Sequence, residues 1–327
     1  MKDGLINLNR FKKIGEKIID RAEKVSLPFF DGVPLYDVAI FFWNSIVNGS
    51  ITTRASAIAF SFFVALFPAI IFLFTLIPYI PIENFQTDLY LIIQQIVPGS
   101  TFETIETTIS EIILDQRGDL LSFGFFMALI FSTNGFASMM SAFDATIHSI
   151  NRRSWLSQRL AAIFLLFILA ALLTIAMALL TGGQLLTGYL KEHHILQDNF
   201  LIFLLNFGRW VVIIFLFFFA YAFLYYMAPA KKTKWRFISA GGTLATILSI
   251  IALLGFSFYI NNFSQYNKLY GSIGTLLIIL LLTYLMSLIL LVGFELNASI
   301  YMAHSEKEDY ENVLKEKNGK IKEPPAI

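Results

Sequence analysis

The 327-residue chain contains no cysteine. That excludes disulfides, thiolate metal sites and cysteine nucleophiles, and it leaves the redox compartment unreadable. Charge is scarce too. Asp, Glu, Lys and Arg make up 14% of the residues, against roughly 25% in an ordinary soluble domain. This deficit excludes a disordered chain and argues against a soluble globular one. Lys and Arg number 24 and Asp and Glu 23, a net charge of +1, so there is no global basic surface and no nucleic-acid partner is expected. The four histidines, His148, His193, His194 and His304, are scattered, and no metal site or cofactor is expected. Gly182-Gly183 and Gly241-Gly242 lack the following Lys-Ser/Thr of a phosphate-binding loop, which argues against ATP-driven pumping by this chain alone.

Apolar residues are abundant, 57% of the chain with 16% aromatic, and the few charges punctuate them. Uncharged runs of 28, 24, 31, 21, 31 and 26 residues follow Arg54, Asp119, Arg159, Arg209, Arg236 and Lys268. About 20 apolar helical residues cross a hydrocarbon core of about 30 Å, so each run is long enough. The predicted spans are 55–80, 120–147, 158–184, 200–228, 236–260 and 272–302. Barrel strands would alternate in polarity over about 10 residues, whereas Leu276 to Leu282 is continuously apolar. The fold class is therefore all-α: a polytopic membrane protein with six transmembrane helices, amphipathic N-terminal helices and an outer helical hairpin.

Of the 24 basic residues, 20 fall in residues 1–54, the second-to-third and fourth-to-fifth connections and the tail. The positive-inside rule then predicts both termini in the cytoplasm, in a bacterial cytoplasmic (inner) membrane. The N-terminus lacks a secretory-signal pattern, and the first span is expected to serve as the targeting signal. Residues 1–34 are expected to form a basic cytoplasmic segment. Within it, residues 10–25 place Phe11, Ile14, Ile18 and Val25 on one face against Lys12, Lys13, Lys17, Arg21 and Lys24, a pattern suited to contact with anionic lipid. The transmembrane domain, 35–303, includes an interfacial helix at 35–47, too short to span, and an outer hairpin at 82–118. That hairpin reads as two amphipathic helices joined at Pro98-Gly99, the second opening on a capping box of Ser100 and Glu103. The whole outer connection from Pro81 to Asp119 carries seven acidic residues and one Arg, read mainly as a solvated outer face. Residues 304–327 are expected to be a mobile cytoplasmic tail.

Inside the spans, polar residues mark candidate sites. Asn134, Ser138 and Ser141 share a face of span two with Ala145, and Asp144 lies beside them. This stripe reads either as a hydrated path or as interhelical hydrogen bonding. Arg209, about 13 Å into span four from Phe200 by the helical rise, is costly in hydrocarbon and calls for a counter-charge, polar neighbours or an anionic ligand. Asn134, Asn206 and Gln184 match it in depth. Snorkelling to the outer headgroups is the plain alternative. Glu295 with Asn297 is a candidate proton or ion site, or a helix cap, or a partner for an inner-loop cation such as Arg152 or Lys232, with the structural role favoured. Pro68 is expected to kink span one. Ala57, Ser61 and Ala65 in span one, and Ala170, Thr174, Ala178 and Gly182 in span three, form small-residue faces read as helix-packing surfaces. Gly271, Gly274 and Gly293 are candidates for close packing or a broken helix.

Three blocks carry a family resemblance: Arg54 to Pro68 (RASAIAFSFFVALFP); Leu224 to Pro229 with Lys234-Trp235-Arg236; and Phe258-Tyr259, Tyr266-Asn267 and Tyr270 to Gly274, continuing through Tyr284 to Gly293-Phe294-Glu295-Leu296-Asn297-Ala298. With these blocks, residues 35–303 resemble the YihY/virulence factor BrkB family of bacterial inner-membrane proteins. Thr283 and Asp144 depart from that family's usual Trp and Asn. The resemblance implies a six-helix inner-membrane protein, often described as a transporter of unsecured substrate. An older ribonuclease label for the family finds no support in clustered acids or histidines here. The expected function is a transporter or lipid-handling translocator acting on an unknown small molecule or lipid, with membrane lipids, anionic ones included, as partners and oligomerisation open. The alternative is a non-transporting envelope scaffold, and an enzyme comes third.

Overall fold

The computed structural model describes residues 21–27, 29–81, 83–96, 106–107, 109–147, 153–192, 199–230, 237–262 and 272–320. The basic stretch 10–20, Pro98-Gly99, Arg152, His193-His194, Lys232, Gly271 and the last seven residues fall outside them. Eight α-helices are assigned among the described residues: α1 (Leu35–Asn48), α2 (Ile51–Leu76), α3 (Phe85–Ile96), α4 (Gly118–Thr146), α5 (Trp155–Glu192), α6 (Asn199–Met227), α7 (Ala240–Asn262) and α8 (Ser272–Lys320). Six of them, α2 and α4 to α8, are long and apolar enough to cross a membrane, because a helix satisfies its own backbone within hydrocarbon. No strand occurs among the described residues.

The six long helices close into a ring. α2 packs on α4, α4 on α5, α5 on α6, α6 on α7 and α7 on α8, and α8 returns to α2 while also touching α4 and α1. Neighbours run antiparallel, α8 against α2 included, and only α8 against α4 runs parallel, so one end of the bundle gathers the start of α2, the end of α4, the end of α6, the start of α7 and the C-terminal half of α8. This end is termed basal. The buried core lies toward it: Ala55 and Ile58 of α2, Met139, Met140 and Phe143 of α4, Ala162 and Leu165 of α5, Tyr225 of α6, Ala245 of α7, and Leu291 and Phe294 of α8. Toward the other end, large apolar side chains such as Leu73, Phe126, Leu173, Phe207, Leu254 and Leu281 are exposed, as a lipid-facing surface requires.

Local chemistry sets several helix boundaries. α1 stops at Gly49, whose N–H donates to Ser45 O at 2.8 Å, and a Cβ there would collide with that same carbonyl. Ser50 follows in the left-handed region (φ +49°) and turns the chain into α2. α2 therefore begins four residues before the predicted start of the span, and Arg54 lies in its first turn. α2 continues as helix through Pro68. It packs on α4 through small contacts: Ser61 Oγ lies 2.9 Å from Ser138 Oγ, and a Cβ on Gly124 would stand 3.1 Å from the Phe72 backbone. α8 runs on to Lys320, well beyond the expected end of the sixth span at 302. Its stretch around Ile300 and Ala303 packs on Phe30, Val33 and Val38 ahead of and within α1.

The outer connection is partly described. α3 forms its first helix, and residues 109–113 are helical. Tyr90 Oη donates to Glu106 Oε1 at 2.9 Å, and that hydrogen bond to a carboxylate raises the Tyr90 phenol above its ordinary range. One expectation is overturned here. Ala170, Thr174, Ala178 and Gly182 of α5 are exposed, and a Cβ on Gly182 would meet nothing within 4 Å, so this face is not a close helix contact. At this end of α5 the small residue against a neighbouring helix is the next one, Gly183, where a Cβ would stand 3.1 Å from Arg209 Cδ.

The absence of native cysteine makes orientation directly testable. With both termini cytoplasmic, Glu306→Cys at the exposed start of the α8 extension should react with a membrane-impermeant maleimide only after permeabilisation. Asp115→Cys should react in intact spheroplasts. The opposite pattern would invert the topology.

Candidate functional site

The basal end holds a charged cluster inside the apolar core. Arg54 from α2 pairs through Nη2 with Glu295 Oε1 from α8. Thr146 of α4 donates to the same oxygen at 2.8 Å and accepts from Arg54 Nη1. Nη1 also donates to Ala142 O at 2.9 Å. Three helices are thus tied by one guanidinium and one carboxylate. The Glu295 side chain is 2% exposed and that of Arg54 14%. Around them Phe143 and Phe294 stack at 3.8 Å between ring centroids, and Tyr225 leans on both at 5.8 Å. Tyr225 Oη donates to Leu290 O.

The pair is incomplete. Arg54 Nε and Glu295 Oε2 are both buried without a hydrogen-bond partner. An Arg–carboxylate pair at its best is a two-pronged fork. Here Oε1 takes two donors while Oε2 takes none. Moving charges out of water costs several kcal/mol per ion, recovered only with good geometry and full hydrogen bonding, so this pair is retained despite a cost that apolar side chains would avoid.

The rest of the basal end is capped by side chains. Ser239, immediately before α7, accepts from Gly242 N–H at 3.2 Å, as an N-cap does. Asn297 of α8 accepts from Gly241 N–H at 2.7 Å and donates to Ser239 Oγ at 2.9 Å. Asn297 is thus a cap delivered from a neighbouring helix. Asp144 accepts from Ala230 N–H at 2.8 Å, and Arg153 donates to the carbonyls of Met227, Ala228 and Pro229, closing the end of α6. Gly293 and Gly241 face each other where α7 crosses α8.

Only part of the sequence-derived candidate set meets here. Glu295, Asn297, Asp144 and Gly293 lie at the basal cluster. Ser138 spends its hydroxyl on Ser61, whereas Ser141 is exposed and Asn134 half-buried, so the polar stripe of α4 divides into one interhelical bond and surface positions. Arg209 lies far along α6 against Gly183, its Nε buried without a hydrogen-bond partner. The side chains of Asn206 and Gln184 lie outside the described set. Gly274 is buried near the start of α8. Arg54, Thr146, Ser239, Arg153 and Tyr225 belong to this end too, and the sequence pattern does not mark them as site residues. Arg54 opens the first resembling block, but as a flanking cation it reads as a topology signal. Among the described residues no group of three His, Asp or Glu could hold a metal ion.

The family profile described as "Virulence factor BrkB" matches residues 42–317, from within α1 through most of α8. The chain belongs to the virulence factor BrkB family. Among similar proteins, the ribonuclease-like protein YfkH of Bacillus subtilis (strain 168) is 29% identical over 249 residues, 76% of this chain and 90% of YfkH. A UPF0761 membrane protein of Aliivibrio salmonicida is 25% identical over 264 residues, 80% of this chain and 82% of the relative. Another, from Idiomarina loihiensis, is 30% identical over 162 residues, 50% of this chain and 56% of the relative. No solved structure matches. This BrkB-family chain is an integral membrane protein, and its profile match includes the ion pair and its hydrogen-bond partners, Arg54, Ala142, Thr146 and Glu295.

Proposed function

We propose that this BrkB-family protein is a translocator of a lipid or small molecule in the bacterial inner membrane, with both termini cytoplasmic and the basal cluster as its closed end. The observation that carries this reading is the half-satisfied ion pair. A pair serving architecture alone would be fully hydrogen-bonded or replaced by apolar packing, and ionisable residues at membrane depth are functional by default. The ring of six helices gives such a pair a role: it fastens α2, α4 and α8 together at one end, where parting them would open a route. Arg209, about 24 Å from the level of Tyr225 by helical rise over 16 residues, supplies a second cation toward the other end of α6. The ribonuclease-like wording belongs to the Bacillus relative's name, and no group of acids and histidines among the described residues supports carrying it over.

The test is native mass spectrometry of the full chain extracted in native nanodiscs, with Arg209→Leu alongside. The expected result is a specific anionic lipid or metabolite retained by the parent and at least tenfold depleted in the variant. Bulk lipid alone in both, together with a co-purifying envelope protein, would replace the translocator by a scaffold.

A further inference from the structure

We infer that Arg54 is an anion-binding residue held shut by Glu295, and that uptake of one proton by Glu295 hands its guanidinium to the phosphodiester or carboxylate group of a cargo. The inference rests on the translocator reading and adds a ligand class and a coupling ion to it.

Four features lead there. First, the guanidinium offers a fork and Glu295 uses half of it: Nη2 is engaged, whereas Nε is buried without a partner. A phosphate or carboxylate presents two oxygens spaced for both nitrogens. Second, Arg54 does not depend on Glu295 for its position, because Nη1 is anchored on Ala142 O and Thr146 Oγ1. Third, access is unequal. Gly49, at the elbow between α1 and α2, lies over the nitrogen that Glu295 holds, and a Cβ there would stand 3.1 Å from Nη2. Arg54 keeps 14% of its side chain exposed against 2% for Glu295, so an anion arriving at the basal end meets the guanidinium first.

Fourth, charge must balance. The Arg54–Glu295 pair is neutral, and adding a monoanion to it would bury a net negative charge at a cost of several kcal/mol. One proton on Glu295 restores neutrality. The only bond formed is O–H on the carboxyl, Arg54 stays protonated, and Thr146 can continue to donate to Oε1. Proton and anion then occupy the site together.

The surroundings leave Glu295 as the group that changes. Arg54 is the one charged residue of α2. α4 carries Asp119 at its far end and Asp144, which is engaged with Ala230 N–H. α6 contributes Arg209 and the phenols Tyr221, Tyr225 and Tyr226, with Tyr221 bonded to Ser249 and Tyr225 to Leu290 O. α7 has no charged residue, only Tyr259 near its far end. α1 brings Tyr36 and an exposed Asp37. On α8 itself are Tyr284, Tyr301 and His304. His304 lies nine residues on, about 14 Å by helical rise, and faces Glu308 at 3.7 Å.

The test uses the full chain at pH 5.5 and 7.5. In maltoside micelles the probe is dimethyl phosphate, a monoanion at both pH values, titrated calorimetrically. In phosphatidylcholine nanodiscs doped with phosphatidylglycerol the readout is retained phosphatidylglycerol by native mass spectrometry. The parent should bind at least tenfold more weakly at pH 7.5 than at 5.5. Glu295→Gln, a fixed mimic of the protonated carboxyl, should bind equally at both pH values and as tightly as the parent at 5.5. The double variant Arg54→Gln/Glu295→Gln, neutral and checked for folding by gel filtration, should bind at neither. His304→Gln should keep the parent's pH dependence. Binding in micelles identifies a free anion as ligand, binding only in nanodiscs a lipid headgroup. No binding by Glu295→Gln in either arm, binding by the double variant, or loss of pH dependence in His304→Gln overturns the inference. Binding without transport in vesicles would instead overturn the translocator reading and leave the site standing.

Discussion

Arg54→Ala and Glu295→Ala are each expected to destabilise the protein by about 3–5 kcal/mol, the range for removing one partner of a buried ion pair. The physical reason is the charge left behind. Without Arg54, the Glu295 carboxylate keeps one donor, Thr146 Oγ1, in a core of Phe143, Phe294 and Tyr225. Without Glu295, the guanidinium retains Ala142 O and Thr146 Oγ1 but no counter-charge. The loss should appear in SDS-titration unfolding of the micellar protein. The double variant Arg54→Met/Glu295→Met removes both charges while keeping much of the volume. Because replacing a whole buried pair by apolar residues is often neutral or stabilising, it should recover most of what either single variant loses. Arg54→Lys should fall between, since an ammonium cannot span Glu295, Thr146 and the Ala142 carbonyl at once. Single variants within about 1 kcal/mol of the parent would show that the cluster is hydrated and does not hold the basal end together.

The six helices were legible because their signal is local. An uncharged run long enough to cross a bilayer needs no knowledge of its neighbours, and α2, α4, α5, α6, α7 and α8 each fall on such a run. The cluster was legible only in halves. Glu295 stood out as an acid in an apolar run, and Asn297 beside it, with a cap or a cation partner among the stated roles. Its actual partner lies 241 residues away and reads, from sequence, as a cytoplasmic flank. A basic residue at the mouth of a span has the same sequence signature whether it faces lipid headgroups or turns inward. What turns Arg54 inward is the Gly49–Ser50 elbow, which closes α1 and starts α2 one turn earlier than the charge boundary indicates. Arg153 is hidden for a similar reason: a connection arginine reads as topology, yet it caps three carbonyls at the end of α6. The α5 stripe failed in the opposite sense. Four-residue spacing of small residues permits close approach but does not supply the approaching helix, and at this end of α5 it is Gly183 that meets one.

Gly241→Ala is expected to be the most damaging Gly→Ala change among the described helices. A Cβ at Gly241 would collide with the Gly293 carbonyl and stand 2.7 Å from Asn297 Oδ1. The obstacle is backbone on one side and the cap of α7 on the other. Neither is the free end of a flexible side chain, so the crossing of α7 and α8 must open. Gly293→Ala comes next: its Cβ would collide with Tyr225 Oη and lie 2.6 Å from Gly241 O and 2.8 Å from Ala245 Cβ. Overpacking typically costs about 1–3 kcal/mol, and both variants should sit at or beyond the top of that range. Gly241→Ala also threatens the Asn297 cap, which holds the N–H of the same residue. Because Glu295 lies between Gly293 and Asn297 on α8, a displaced crossing should loosen the Arg54 pair as well, and the losses should not add to those of the charge variants. Gly255→Ala is the matched control, since a Cβ there would meet nothing within 4 Å, and in a helix interior Ala is favoured over Gly by roughly 0.5–1 kcal/mol. Thermal melting followed by size-exclusion chromatography should therefore rank Gly241→Ala below Gly293→Ala, and both well below a Gly255→Ala variant at or above the parent. If Gly241→Ala melted with Gly255→Ala, α7 and α8 would have to cross with room to spare, and α8 could not bring Asn297 to the start of α7 as it does here.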